Sequence, residues 1–275
     1  MHGPPPIPAP PARQRSQGRV ALRVGGAAAA SRVVGLAESG PSRLRFPRGP
    51  DLETVLINTA GGVACGDRFS VSVDLDAGAA LTFTTTAAEK IYRSDGEMAV
   101  LDVVLSLEAG ADLAWLPQET ILYDGARLDR RLSVDLAPDA RLLLFEAVVL
   151  GRTARGERLR AGRLADTWRL RRGGRLVLAE ALRLEGDIAA RLDRPAVAAG
   201  AGALATLVLA APDAEGQLDR ARDLLADAPC ETGVSAWNGL LVARFLAPDG
   251  ARLRRAAVPL IEGLRGRAMP RVWQA

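Results

Sequence analysis

VSVDLDAGAALTF, residues 71–83, decides the fold. Val71, Val73 and Leu75 alternate with Ser72, Asp74 and Asp76, the period-two pattern of a strand with one buried face. Ala77-Gly78-Ala79 breaks the pattern, and a second apolar run follows. The same plan returns in VVLSLEAGADLAW (103–115) and LSVDLAPDARLLL (132–144). The turns AGA, AGA and PDA recur at spacings of 32 and 29 residues. A repeat of this period predicts stacked or successively paired strand–turn–strand units, expected to pair antiparallel.

Upstream lies LINTAGGVACGD (56–67), whose glycines suggest a phosphate cradle. Such a cradle needs a helix after the glycines and a Gly-Lys-Ser/Thr ending. Here RFSVSVDLD (68–76) follows, a strand by its alternation, and the lysine is absent. The stretch is therefore a link between strands. Downstream, RLRRGGRLVL (169–178) carries Gly173-Gly174 in the position of a primed hairpin turn. The C-terminal third changes character. PDAEGQLDRARDLLAD (212–227) has helical spacing with Asp213 as its expected N-cap. VSAWNGLLVARFLA (234–247) reads as a hairpin. DGARLRRAAVPLIEGLRG (249–266) is a second helix, with Pro259 expected to kink it or delay its start. The predicted class is α+β, predominantly β, with about two helices in the C-terminal third. Residues 1–18 read as a disordered Pro-rich tail, and 19–275 as one domain, β-rich over 19–210 and helix-containing over 211–275.

Composition removes many chemistries. The 275 residues contain one histidine, His2, which sits in the tail, and two cysteines, Cys65 and Cys230. Zinc fingers and Ser-His-Asp or Cys-His catalysis are thereby excluded from the folded part, and a disulfide framework is not expected. The net charge of +4 is small and its charges are interspersed, so neither nucleic acid nor a membrane is expected as a partner. There is no apolar leader at the start of this sequence, and the expected compartment is the cytoplasm. Lys90 is the single lysine among 36 basic residues.

Two glutamates interrupt apolar stripes. RLLLFEAVVLGR (141–152) is apolar on both faces and holds Glu146; RLVLAEALRLEGD (175–187) holds Glu180. An isolated buried carboxylate is expensive, so each acid either pairs with an arginine or lines a channel or ligand site. TFTTTAAEKIYRSDGE (82–97) gathers Glu89, Lys90, Tyr92 and Arg93, and AWLPQETILYDGARL (114–128) gathers Trp115, Gln118, Glu119, Tyr123 and Asp124. These segments are either hairpin ends or a polar partner surface.

LINTAGGVACGD, TTTAAEKIYRS, WLPQETILYDGARL, LGR at 150–152 with GE at 156–157, and PRVW at 270–273 occur in that order. Together they resemble the urease accessory proteins of the UreD (UreH) family, over roughly residues 50–275. The resemblance implies a non-enzymatic chaperone for urease maturation that acts with UreF, UreG and apo-urease. It also implies a β-rich fold with two helices, and an internal path for nickel. Asp67 and Glu180 are the path acids so implied, and Glu89, Lys90, Tyr92 and Arg93 fall on the family's SKxYR-like element. Cys65 stands where glycine is usual and Glu89 where a small residue is usual.

A histidine-free interior suits a conduit better than a store, since storage wants imidazoles or several thiolates. Asp67, Glu146 and Glu180, with Cys65 beside the first, are the expected nickel-path residues. No tight metal site and no tightly bound cofactor are expected, only transient nickel. Two other readings are a docking scaffold without metal conduction and a β-sandwich module for a small ligand. For a scaffold, Trp115, Tyr123, Arg271 and Trp273 are the expected partner contacts.

Overall fold

The computed structural model describes residues 15–274. In chain order its strands are β1 (Gln17–Gly25), β2 (Arg32–Ser39), β3 (Ser42–Arg45), β4 (Glu53–Asn58), β5 (Arg68–Leu75), β6 (Ala80–Thr85), β7 (Glu89–Ile91), β8 (Ala99–Leu107), β9 (Asp112–Leu116), β10 (Thr120–Leu122), β11 (Arg127–Leu136), β12 (Arg141–Leu150), β13 (Ala161–Arg172), β14 (Arg175–Asp187), β15 (Ala203–Ala210), β16 (Glu231–Trp237) and β17 (Leu240–Ala247). The helices are α1 (Ile188–Leu192), α2 (Leu218–Leu225) and α3 (Gly250–Arg265). The α+β, mainly β class is as the sequence predicts. Strand β1 begins inside the stretch read as a tail, and residues 1–14 of that stretch lie outside the described residues.

Two sheets face each other. One runs β14-β13-β11-β8-β5-β1-β2 and the other β16-β17-β15-β12-β9-β6-β4-β3, with β7 and β10 pairing beside β12. Each repeat unit places its first strand in the seven-stranded sheet and its second in the ten-stranded sheet. The chain therefore climbs as a coil, and the register preserves the sequence spacing. Val71 pairs with Val103 and Val103 with Leu132, steps of 32 and 29 residues. Phe83 pairs with Trp115 and Trp115 with Leu144, the same steps again.

Pairing between units is parallel, which corrects the antiparallel expectation for the repeats. The AGA turn sends the chain from one sheet to the other rather than back along its own sheet. The next strand in the same sheet thus starts a full coil later, in the same direction. Antiparallel pairing holds outside the repeats, at β1–β2, β3–β4, β13–β14 and in the run β12-β15-β17-β16. Gly78 (φ +70°) and Gly110 (φ +65°) occupy the left-handed position of successive turns. Gly78 N–H donates to the Ala109 carbonyl at 2.8 Å, stacking one turn on the next.

The other corner stacks too. Glu89 pairs with Thr120 and Thr120 with Val148, while Val63 bridges Ile91. The motif stretches 56–67, 84–94, 115–128 and 148–152 are thus one corner of the coil seen four times.

Between the sheets lies an apolar core. From the seven-stranded sheet it takes Val73 and the row Leu132, Val134 and Leu136; from the ten-stranded sheet it takes Leu81, Phe83, Trp115 and Leu144. Phe83 and Trp115 stack with ring centroids 4.4 Å apart. The outer face of the ten-stranded sheet is covered by α2 and α3, where Leu143, Phe145, Ala147 and Val149 meet Leu253, Ala257, Leu260 and Ile261. Strand β12 is therefore buried on both faces, as its apolar residues on both faces predict.

Helix α3 starts at Gly250, capped by Asp249, whose carboxylate accepts from Arg252 N–H at 2.8 Å. Pro259 lies inside it and does not delay its start. Asp213 does not cap α2. A 3-10 turn (Glu215–Gln217) intervenes, the cap position falls on Gln217, and Asp213 instead pairs with Arg141 at 3.3 Å. The hairpins at Gly173-Gly174 and Asn238-Gly239 have positive φ at both central residues. The short α1 has no counterpart in the sequence reading.

Candidate functional site

Between the sheets the apolar lining is interrupted by charge. On β11 the inward stripe is Leu128, Arg130, Leu132; on β13 it is Leu164, Asp166, Trp168. Arg130 and Asp166 are register partners on neighbouring strands. Glu146 reaches them from β12 in the facing sheet. All three are buried, at 5%, 6% and 8% exposure for Arg130, Asp166 and Glu146, so their charges meet little water.

Their hydrogen bonds are shared out. Arg130 Nε donates to Asp166 Oδ1 at 3.0 Å, and its two Nη groups donate to Asp166 Oδ2 and Glu146 Oε2. Trp115 Nε1 donates to Glu146 Oε1 at 2.8 Å, and Trp168 Nε1 to Asp166 Oδ1 at 3.0 Å. The Thr120 hydroxyl accepts from Arg130 at 3.3 Å. One guanidinium thus faces two carboxylates, a formal excess of one negative charge. Burial pushes the Glu146 carboxyl above the usual range, and the Arg130 charge opposes that rise. Burial pulls Arg130 down, but Asp166 and Glu146 outweigh it and keep the guanidinium protonated.

Cavities flank this cluster. One, of about 90 Å³, is lined by Asn58, Glu89, Asp102, Gln118, Arg130 and Glu146. Another, of about 160 Å³, is lined by Arg130, Glu146, Asp166, Glu180, Thr206 and Arg244. Arg130 and Glu146 belong to both. Thr206 and Arg244 continue into an open groove beside Glu231 and Gly233. The series runs across the strands between the two sheets, with Glu89 on one side of the cluster and Glu180 on the other.

The sequence-predicted residues divide accordingly. Glu146 is the centre of the series. Glu180 lines the second cavity and pairs with Arg244. Glu89 lines the first; its carboxylate accepts from Asn58 Nδ2 at 3.2 Å, and burial raises its pKa against that bond. Asp67 is buried at a turn, where its two oxygens accept from Ser16 N–H at 2.7 Å and Ala64 N–H at 2.8 Å. It lines none of these three cavities, and both its oxygens are engaged in the turn. Cys65 is buried in the same turn, with Sγ 3.5 Å from Asp95 Oδ1.

Gln118 and Glu119 form a clamp. Arg254 on α3 donates to Glu119 Oε1 at 2.9 Å, to Gln118 Oε1 at 2.9 Å and to the Trp273 carbonyl at 3.2 Å. Trp273 is buried, with Nε1 donating to Thr84 Oγ1 at 3.0 Å. Trp115 is buried as well. Both tryptophans are thus corrected from surface contacts to interior residues, because each indole N–H finds a partner inside. Tyr123 remains near the surface, edge-on to Tyr92 and under the Arg152 guanidinium, and Lys90, Arg93 and Arg271 are exposed.

Arg130 and Asp166 were missed from sequence. The signal was present, since each interrupts an apolar alternation as Glu146 does. Among the described residues no group of three or more His, Cys, Asp or Glu is placed to hold a metal ion, and no helix is long and apolar enough to cross a membrane.

Residues 16–274 match the family model described as UreD urease accessory protein. The chain is 60% identical to the urease accessory protein UreD of Methylobacterium sp. (strain 4-46), covering 98% of each. It is 57% identical to the protein of the same name from Azorhizobium caulinodans, covering 96% of this chain and 98% of that one. With the protein of that name from Xanthobacter autotrophicus it shares 55% identity, covering 95% of this chain and 91% of that one.

Proposed function

Because the chain belongs to the UreD family of urease accessory proteins, we propose that it serves urease maturation as a nickel conduit. On this reading it works in the cytoplasm between the partners UreF and UreG and apo-urease, holds no resident cofactor and catalyses no reaction. The observation that carries the reading is the pair of cavities that meet at Arg130 and Glu146. Acids recur along them, at Glu89, Glu146 and Glu180. Oxygen donors of this kind attract a hydrated divalent cation without the grip of imidazoles or thiolates. Conduction needs binding favourable enough for the ion to enter and weak enough for it to leave.

Thr206→Phe is the direct test. The residue is half-buried on β15 and lines the second cavity, so a phenyl ring there fills the route without removing a charge. Urease produced with this variant is expected to contain less than about a third of the normal nickel, while pull-down of UreF and UreG is unchanged. Normal nickel content would remove the conduit and leave a docking scaffold.

A further inference from the structure

We infer that Arg130 is a built-in competitor for the cargo cation, a guanidinium that keeps Glu146 and Asp166 from trapping the metal where the two cavities meet. This rests on the conduit reading above. Glu146 and Asp166 together offer four carboxylate oxygens, and the Thr120 hydroxyl accepts from the same guanidinium that they hold. Such a set of oxygen donors suits a divalent cation. In a buried setting its attraction is strong, because water screens it little. A path containing it bare would stop at its midpoint.

Arg130 changes the balance by occupying those oxygens. Its Nε and one Nη hold Asp166 as a fork, and the other Nη holds Glu146. A dication arriving here must replace the guanidinium at the carboxylates or share them with it. Either way its binding is weakened by the competing positive charge. The side chain borders free volume on both sides, about 90 Å³ and about 160 Å³, so it has room to yield in either direction. A purely structural role accounts less well for the cluster. Buried ion clusters add little stability over apolar packing of the same volume, and this one stands at the junction of two cavities.

The test compares nickel binding by the purified full chain with nickel delivery to urease in cells. Arg130→Gln keeps hydrogen-bond donors and removes the charge. It is expected to bind nickel at least about ten-fold more tightly than the unmodified chain. It should also deliver less than about a third as much at limiting nickel, with recovery at excess nickel. Arg130→Lys keeps the charge and is expected to bind nickel within about three-fold of the unmodified chain. Binding by Arg130→Gln no tighter than normal overturns the inference, as does equally tight binding by both variants. If Arg130→Gln does not fold, Glu146→Gln decides. It is isosteric, still accepts from Trp115 and cancels the excess negative charge, so delivery should fall at least about five-fold with the partner complex intact; unchanged delivery overturns the inference. The two readings fail differently. Blocked delivery in Thr206→Phe with a silent Arg130→Gln removes only the role of Arg130, whereas a silent Thr206→Phe removes the conduit itself.

Discussion

The ten-stranded sheet has two buried faces, and they are built differently. On the helix side of β12, Leu143, Phe145, Ala147 and Val149 pack against α3 in an apolar cluster. On the side facing the other sheet, Leu142, Leu144 and Val148 surround Glu146, which meets Arg130 and, through it, Asp166. One strand, alternating at period two, thus serves a dry face and a charged one. Apolar burial supplies stability on the first. On the second, desolvation of three charges leaves little net gain, and the site tolerates empty space beside it.

Breaking the dry face should have the largest effect on stability. Phe145 is fully buried and lies edge-on to Phe245 and Trp273, with centroids 6.4 and 6.0 Å away. Phe145→Ala is expected to lose about 3–5 kcal/mol in denaturant unfolding, from lost transfer energy and the cavity left behind. Removing the clamp between α3 and the coil comes next. Arg254→Ala leaves the buried Glu119 without its bidentate partner, at about 2–3 kcal/mol, reduced from a fully buried pair because Arg254 is partly exposed. Its expected signature is faster proteolysis near residues 267–274, a segment that Arg254 helps to anchor through the Trp273 carbonyl.

The smallest effect sharpens the comparison from the charged side. Burial raises the pKa of Glu89 above its ordinary value of 4.5. Its ionised form is therefore disfavoured by folding. The stability linked to this group is fully present below pH 4.5 and is lost as pH rises through the raised folded value. Glu89→Gln should abolish this pH dependence and slightly raise the melting temperature at pH 7. A lower melting temperature at pH 7 would show that the bond from Asn58 outweighs burial. On the proposed conduit reading, nickel delivery by the unmodified chain should fall as the medium is acidified, since protonating Glu89 removes an acid from the proposed path.

Much of this was legible in the strand patterns. Glu146 stood out because a carboxylate inside a doubly apolar run has few explanations. Arg130 and Asp166 interrupt their stripes in the same way, but on strands whose other face is polar and in a chain with 36 basic residues they draw no notice. Asp67 is a path acid only by what the resemblance to the UreD family implies. Its oxygens are taken by two backbone N–H groups, one of them on Ser16, far away in sequence. Trp273 reads as a partner contact because tryptophan is a common interface anchor, yet Arg254 and Thr84 hold it inside.

The sequence by itself determined the strand–turn–strand units, their spacing and the two longer helices of the C-terminal third. Alternation and turn residues are local, and the repeat spacing is a count along the chain. Only the tertiary structure decided that the units pair in parallel, since period two is the same for either direction. It also decided which charges meet. Arg130, Glu146 and Asp166 come from three strands and two sheets, and their partnership depends on how far apart those sheets settle and in which register.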